Sequence, residues 1–159
     1  MNLEKNPPTK QNEIEIEWEK ILSKFPEQLR QEIKEERPNP DQEDIECFSS
    51  LCLLDPEPVF ISLQELLKTN EVNVLRCSPD VIEEINKKWE TNFNVGSSKV
   101  YDQNPNRVRK YSQMSPDTAQ PSVLVDREIM FGVGRFIAAL LRKDSSLRVW
   151  NLSKKLEDK

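Results

Sequence analysis

The chain has 159 residues, 36% of them hydrophobic and 32% charged, with a formal net charge of −5; that is room for one domain with an appendage or for two very small ones. No window approaches the roughly 18 apolar residues a membrane span needs, and the first residues lack the apolar core of a secretory signal, so a cytoplasmic protein with no membrane partner is expected. The sequence contains no histidine, which excludes Ser-His and Cys-His catalytic units and leaves carboxylates, lysines, tyrosines, a bound metal or the substrate itself to carry any chemistry.

Residues 1–11 are polar, include Pro7-Pro8, and are expected to be disordered. From Asn12 the apolar side chains fall at Ile14, Trp18, Ile21, Leu22 and Phe25, which is helical spacing. Pro26 suits the first turn of a second helix carrying Leu29 and Ile33. The run Arg37 to Asp44 breaks the pattern. Ile45 to Leu54 reads as a short buried helix, Pro56 to Pro58 as another break, and Val59 to Leu67 as a short strand leading into a helical turn. Residues 12–69 thus read as an acidic helical region. Its stripe of Trp18, Ile21, Leu22 and Phe25 either covers the protein's own sheet or docks a partner protein in a groove.

Glu71 to Leu75 alternates polar and apolar residues and predicts a strand. Ser78 is a natural N-cap, with Pro79 at the first helical position, for a helix presenting Val81, Ile82, Ile85 and Trp89 on one face. Thr91 to Asn106 reads as a loop and Arg107 to Met114 as a short helix. Then follow a strand (Pro121 to Val125), a turn (Asp126-Arg127), a strand (Glu128 to Phe131), a helix (Phe136 to Arg142) and a last strand (Leu147 to Leu152) in which Trp150 belongs to the core. Residues 70–153 form the second predicted unit and 154–159 a polar tail. No internal repeat is present.

The segment Phe131-Gly132-Val133-Gly134-Arg135 carries the strongest chemical signal. Gly132 follows a strand where the chain must turn sharply, and glycine tolerates positive φ. Gly134 lets a ligand approach the backbone, and Arg135 offers a planar fork of donors at a helix N-terminus, where anions are favoured. The alternative is that the glycines only permit a tight connection and that Arg135 is a surface residue. Arg107, Arg109 and Lys110 with Tyr101 and Tyr111 form a basic-aromatic cluster suited to a phosphate or a base, Arg109 being the candidate phosphate ligand, or else an exposed basic helix end. Asp126 and Glu128 flank the hairpin turn; they can hold Mg²⁺ beside a bound nucleotide, or be simply solvated.

Cys47 and Cys52 have no second pair and no histidine to complete a zinc site, and are expected to be buried structural thiols. Cys77 precedes a helix N-cap, where a thiol pKa can fall, or is a buried spectator. Residues 97–159 hold 12 Lys/Arg and 7 Asp/Glu against an acidic remainder. The acidic total argues against coating nucleic acid, while the basic last third leaves a local anion site open.

The stretch Gln120 to Leu152 resembles the core of the ParB/sulfiredoxin-like superfamily. The resemblance lies in Gln120-Pro121 before the first strand, the Asp126-Arg127 turn, the box Gly132 to Arg135, Ala138-Ala139 in the following helix and the closing strand. It covers residues 105–152 best. It implies an α+β fold, a small mixed sheet with packed helices, plus the N-terminal helical region, and a nucleotide or other phosphate-bearing ligand touching Gly132, Gly134 and Arg135, with Mg²⁺ accompanying a nucleotide. Val133 stands where the superfamily's sulfiredoxins have a reactive cysteine, so that chemistry is not implied, and Gly134 replaces a basic residue. The expected form is compact, without a helix-turn-helix reader of DNA. Any catalysis would be metal-assisted phosphoryl transfer or hydrolysis. The alternative is a non-catalytic interaction or regulatory protein of plasmid or mobile-element type that keeps the fold without chemistry; a nuclease or DNA-binding role is a third reading.

Overall fold

The computed structural model describes residues 10–95, 105–114 and 120–154. Helices α1 (Lys10–Leu22), α2 (Glu27–Glu36) and α3 (Gln42–Ser49) come first, followed by strands β1 (Leu51–Leu53) and β2 (Val59–Ser62). Helices α4 (Leu63–Thr69), α5 (Glu71–Leu75), α6 (Pro79–Trp89) and α7 (Pro105–Ser112) follow. The chain then runs through β3 (Ser122–Val125), β4 (Glu128–Phe131), α8 (Val133–Arg142) and β5 (Ser146–Lys154). The nine-residue β5 is the organising strand. It lies parallel to β3 on one side, and its two halves pair antiparallel with β2 and β1 on the other. β4 closes the far edge as the antiparallel partner of β3. Residues 51–62 therefore supply two strands to a sheet whose other three come from residues 122–154.

Strand alternation sends successive side chains to opposite faces, and both faces are covered; in β4 a register irregularity opposite Val123 and Leu124 breaks the alternation and puts Ile129 and Phe131 on different faces. Val123, Val125, Phe131, Trp150 and Leu152 pack with Trp18, Ile21, Leu22, Phe25, Leu29, Ile33 and Phe48 of α1–α3. Leu124, Ile129, Leu147 and Val149 pack with α4–α8, above all with Phe136, Ile137 and Leu140 of α8. The result is a helix–sheet–helix sandwich of mixed α and β structure. The apolar stripe of α1 thus covers the protein's own sheet and is not available to dock a partner.

Parallel pairing of β3 with β5 requires a crossover, and α8 supplies it. Its last turn ends at Lys143 in the left-handed conformation, φ 64°. The β3–β4 hairpin turns on Asp126 and Arg127, both at positive φ (49° and 74°), as a two-residue hairpin loop requires.

Three sequence expectations are corrected. Glu71–Leu75 is the helix α5, not a strand; only Val74 of its apolar residues is buried, and Val72 is 62% exposed. Five alternating residues carry too little pattern to choose a period. The buried Asn70 decides locally: its side-chain oxygen accepts the Ile129 N–H at 2.8 Å, and its amide donates to the Leu66 and Arg127 carbonyls. The segment Ile45 to Leu54 splits into α3 and β1. The Asp41–Asp44 capping box starts the helix early, and Lys24 Nζ donates to the carbonyls of Phe48, Ser49 and Leu51 where it ends. Finally, α1 begins at Lys10, inside the stretch expected to be disordered; residues 1–9, the tail residues 155–159, most of the predicted 91–106 loop and Tyr101 lie outside the described residues.

Asn70 joins α4, α5 and the hairpin: it accepts from the buried Ile129 N–H, and it shares the Leu66 and Arg127 carbonyls with Thr69 Oγ1. Asn70→Ala is expected to cost about 2 kcal/mol, read as a lowered urea midpoint at unchanged slope, because it strands the buried Ile129 N–H.

Candidate functional site

The site begins with a steric constraint. Gly132 lies at φ +81° between β4 and α8, and a Cβ built there would sit 2.6 Å from Ser122 Oγ and 3.0 Å from Ser122 Cα. Ser122 Oγ in turn donates to the Gly132 carbonyl at 2.9 Å. Gly132 is therefore required by the fold, as a connecting residue. Gly134 is different: it lies within α8, and Gly132 is the glycine with positive φ among the described residues.

No side chain caps α8. The Arg135 and Phe136 N–H groups both reach back to the Gly132 carbonyl at 3.1 Å, while those of Val133 and Gly134, at the start of the helix, have no intrahelical acceptor. The turn Gly132 to Arg135 forms one wall of a cleft of ≈ 200 Å³. Across it stand Arg107 and Tyr111 of α7, with Glu36 of α2 at the rim. Arg107 Nε donates to the Tyr111 hydroxyl at 3.1 Å and its guanidinium lies 5.4 Å from the ring centre, so the two side chains form one unit. A second cleft of ≈ 230 Å³ shares Tyr111 and Arg135 with the first and is lined by the apolar Phe60, Met114, Ala138 and Leu147. Arg142 and Arg148 also line it, and Arg142 is committed to the Asp144 carboxylate and the Tyr111 carbonyl.

Arg135 is not a surface residue. Its Nη1 lies 2.7 Å from Glu32 Oε1 and also donates to the carbonyls of Pro121 (2.9 Å) and Gln120 (3.3 Å). The side chains of Arg135 and Glu32 are only 17% and 6% exposed. Among the described residues the other donors of the fork, Nε and Nη2, have no hydrogen-bond partner, and neither is a buried orphan. One edge of the guanidinium is thus anchored internally and the other remains for a ligand.

The remaining predicted residues go elsewhere. Arg109, two positions from Arg107 on a helix, faces α6 instead of the glycine turn and bridges Asp80 (2.9 Å) and Glu84 (3.1 Å). Hydrogen bonds from Ser78 and Arg109 hold Asp80 below the usual carboxylate range. Burial pushes Glu84 upward, but hydrogen bonds from Lys88 and Arg109 outweigh it and hold it low too. The hairpin tip carrying Asp126 and Glu128 lies at the other end of β4 from Gly132, roughly 10 Å of strand away. Asp126 Oδ1 accepts from Ser153 Oγ and Lys154 N, tying the hairpin to β5, and Glu128 is exposed. No group of three metal-binding side chains occurs among the described residues. Cys77 is buried, and desolvation pushes its thiol up to about 12, the opposite of an activated nucleophile.

Sequence reasoning did not single out Glu32; nothing local marks it as the partner of a residue 103 positions away. Its place on α2 between Leu29 and Ile33, on the face that must be buried, is the one available signal.

No family model, curated protein or solved structure matches the chain. The geometry makes two predictions. Gly132→Ala is expected to destabilise the protein by about 2 kcal/mol or more through strain and the Ser122 contact, whereas Gly134→Ala should be neutral or stabilising by up to about 1 kcal/mol, both measured by urea unfolding. For Arg109→Ala the effect should depend on pH. Carboxylates with lowered pKa contribute stability above their unfolded values and lose it as pH falls through the folded ones, so the gap in urea midpoint from the unsubstituted protein should close on acidification.

Proposed function

We propose that the chain is a binding protein for a small phosphate-bearing ligand, in its simplest form a nucleotide, held against the first turn of α8. The observation that carries this reading is the half-anchored Arg135. Arg135, the uncapped helix start and Arg107 all line one cleft, and each favours an anion. The adjoining apolar cleft, which shares Tyr111 and Arg135, suits the rest of a ligand that is more than a bare phosphate. The ParB/sulfiredoxin-like resemblance of the sequence supports a nucleotide over other phosphates. The cytoplasmic setting, plasmid or mobile-element in character, rests on the same resemblance. Any Mg²⁺ would enter with the nucleotide's own phosphates, since Asp126 and Glu128 sit at the far end of β4. Arg109 is better assigned to the α6–α7 contact, and Arg107 takes its place in the cleft.

A second reading, a non-catalytic regulatory protein, is favoured by one observation: the Glu32 carboxylate already neutralises much of Arg135. Val133, an inert side chain at the position of reactive chemistry in the resembled proteins, agrees with it. The two readings meet in a ligand-binding protein without turnover.

Calorimetric titration with ATP and with CTP, each with Mg²⁺, tests the proposal. Heat of binding is expected for the unsubstituted protein, weakened about tenfold in Arg107→Ala through loss of a charge-assisted hydrogen bond. Arg135→Ala is a poor probe alone, because it leaves the Glu32 carboxylate buried and unpaired at a cost of about 3–5 kcal/mol. Absence of heat with both nucleotides and with inorganic phosphate overturns the proposal.

A further inference from the structure

The buried face of α2 carries Leu29, Glu32 and Ile33. The two apolar residues pack into the core shared with α1, α3 and the sheet. Glu32 sits among them at 5% exposure, a charge in a place where charge is costly unless it is paired. Its partner is the one arginine of the glycine box. The pair is not needed simply to satisfy Arg135, since the Pro121 and Gln120 carbonyls already accept from the same nitrogen. What three acceptors converging on Nη1 do achieve is orientation. A long side chain with several rotatable bonds is fixed by one corner of its fork, so its opposite edge has a defined direction.

We propose that Glu32 is a positioning residue for the anion site: by holding Nη1 of Arg135 it presents Nε and Nη2 to the ligand's phosphate, and so makes the N-terminal helical layer part of the binding site. This deepens the phosphate-binding reading above and rests on it. Preorganisation of this kind raises affinity because the ligand does not have to immobilise the arginine itself. The opposite role is conceivable on charge grounds alone, with the carboxylate as a competing anion. The geometry argues against it, because a competitor would occupy the edge that the ligand needs, whereas Glu32 occupies the other one.

The test is calorimetric titration with ATP and Mg²⁺ of four full-length proteins: unsubstituted, Glu32→Gln, Glu32→Ala and Leu29→Ala. Glu32→Gln keeps an acceptor oxygen at the same place, Glu32→Ala removes it, and Leu29→Ala weakens the same helical layer without touching Arg135. Melting temperature is recorded for each. The expected result is a loss of affinity of about tenfold or more in Glu32→Ala, partly restored in Glu32→Gln, with Leu29→Ala retaining affinity despite a lower melting temperature. If the unsubstituted protein binds and Glu32→Ala binds as tightly or more tightly, the positioning role is overturned while the anion site stands. An equal loss in Leu29→Ala also overturns it, since general loosening of the layer would then suffice. If the unsubstituted protein shows no binding, the phosphate-binding reading itself fails, and this inference with it.

Discussion

The close approach of Gly132 to Ser122 is the constraint on which the rest of the architecture depends. β3 and β5 can lie parallel only if the chain leaves β4, crosses one face of the sheet and returns, and α8 must begin at once to do so. The connection bends so tightly that the backbone of residue 132 presses against the first residue of β3, with no space for a side chain. From that contact follow the direction of α8, the burial of Phe136 through Leu141 and the place where the helix start meets solvent. The candidate site is thus a by-product of a folding requirement: a helix N-terminus that cannot be capped by its own N-cap residue, because that residue must be glycine.

The second organising contact is the ion pair between Glu32 and Arg135. It spans the sheet's flank, linking the helical layer α1–α3 to the start of α8. Buried pairs of this sort contribute little net stability compared with apolar residues of the same shape, since both charges lose their water. Their effect is on specificity. Here the pair fixes where one guanidinium edge points, while hydrophobic contacts of Trp18, Leu22, Leu29, Ile33 and Phe48 hold the layer in place. Apolar burial holds α2 against the sheet, and its one buried carboxylate pairs with Arg135.

Much of this architecture was legible in the sequence, for identifiable reasons. The hairpin, the glycine turn and α8 form a local unit in which turn chemistry, alternation and helical spacing agree, so each reinforced the others. The α1 and α2 stripes showed helical period over enough residues to be unambiguous. Where the reading went astray, the deciding contacts were distant. Glu71–Leu75 became a helix because Asn70 is pinned to Arg127 and Ile129, nearly 60 positions away. β1 forms because Leu51–Leu53 lies beside the C-terminal half of β5. Arg107 rather than Arg109 meets the glycine turn because α7 packs on α8 with Arg109 turned to the Asp80 and Glu84 carboxylates of α6, an arrangement that charge pattern does not encode. The pairing of Arg135 was illegible for the same reason.

The central claim is that the backbone at the start of α8, with the free edge of Arg135, is where a phosphate binds. Amide chemical-shift mapping by ¹⁵N NMR during titration with ATP and Mg²⁺ tests it most directly. The account predicts saturable shifts centred on Val133, Gly134 and Arg135, extending to Arg107 and Tyr111, with the side-chain Nε–H of Arg135 moving in step. Shifts that saturate elsewhere and leave residues 132–136 unmoved would contradict it.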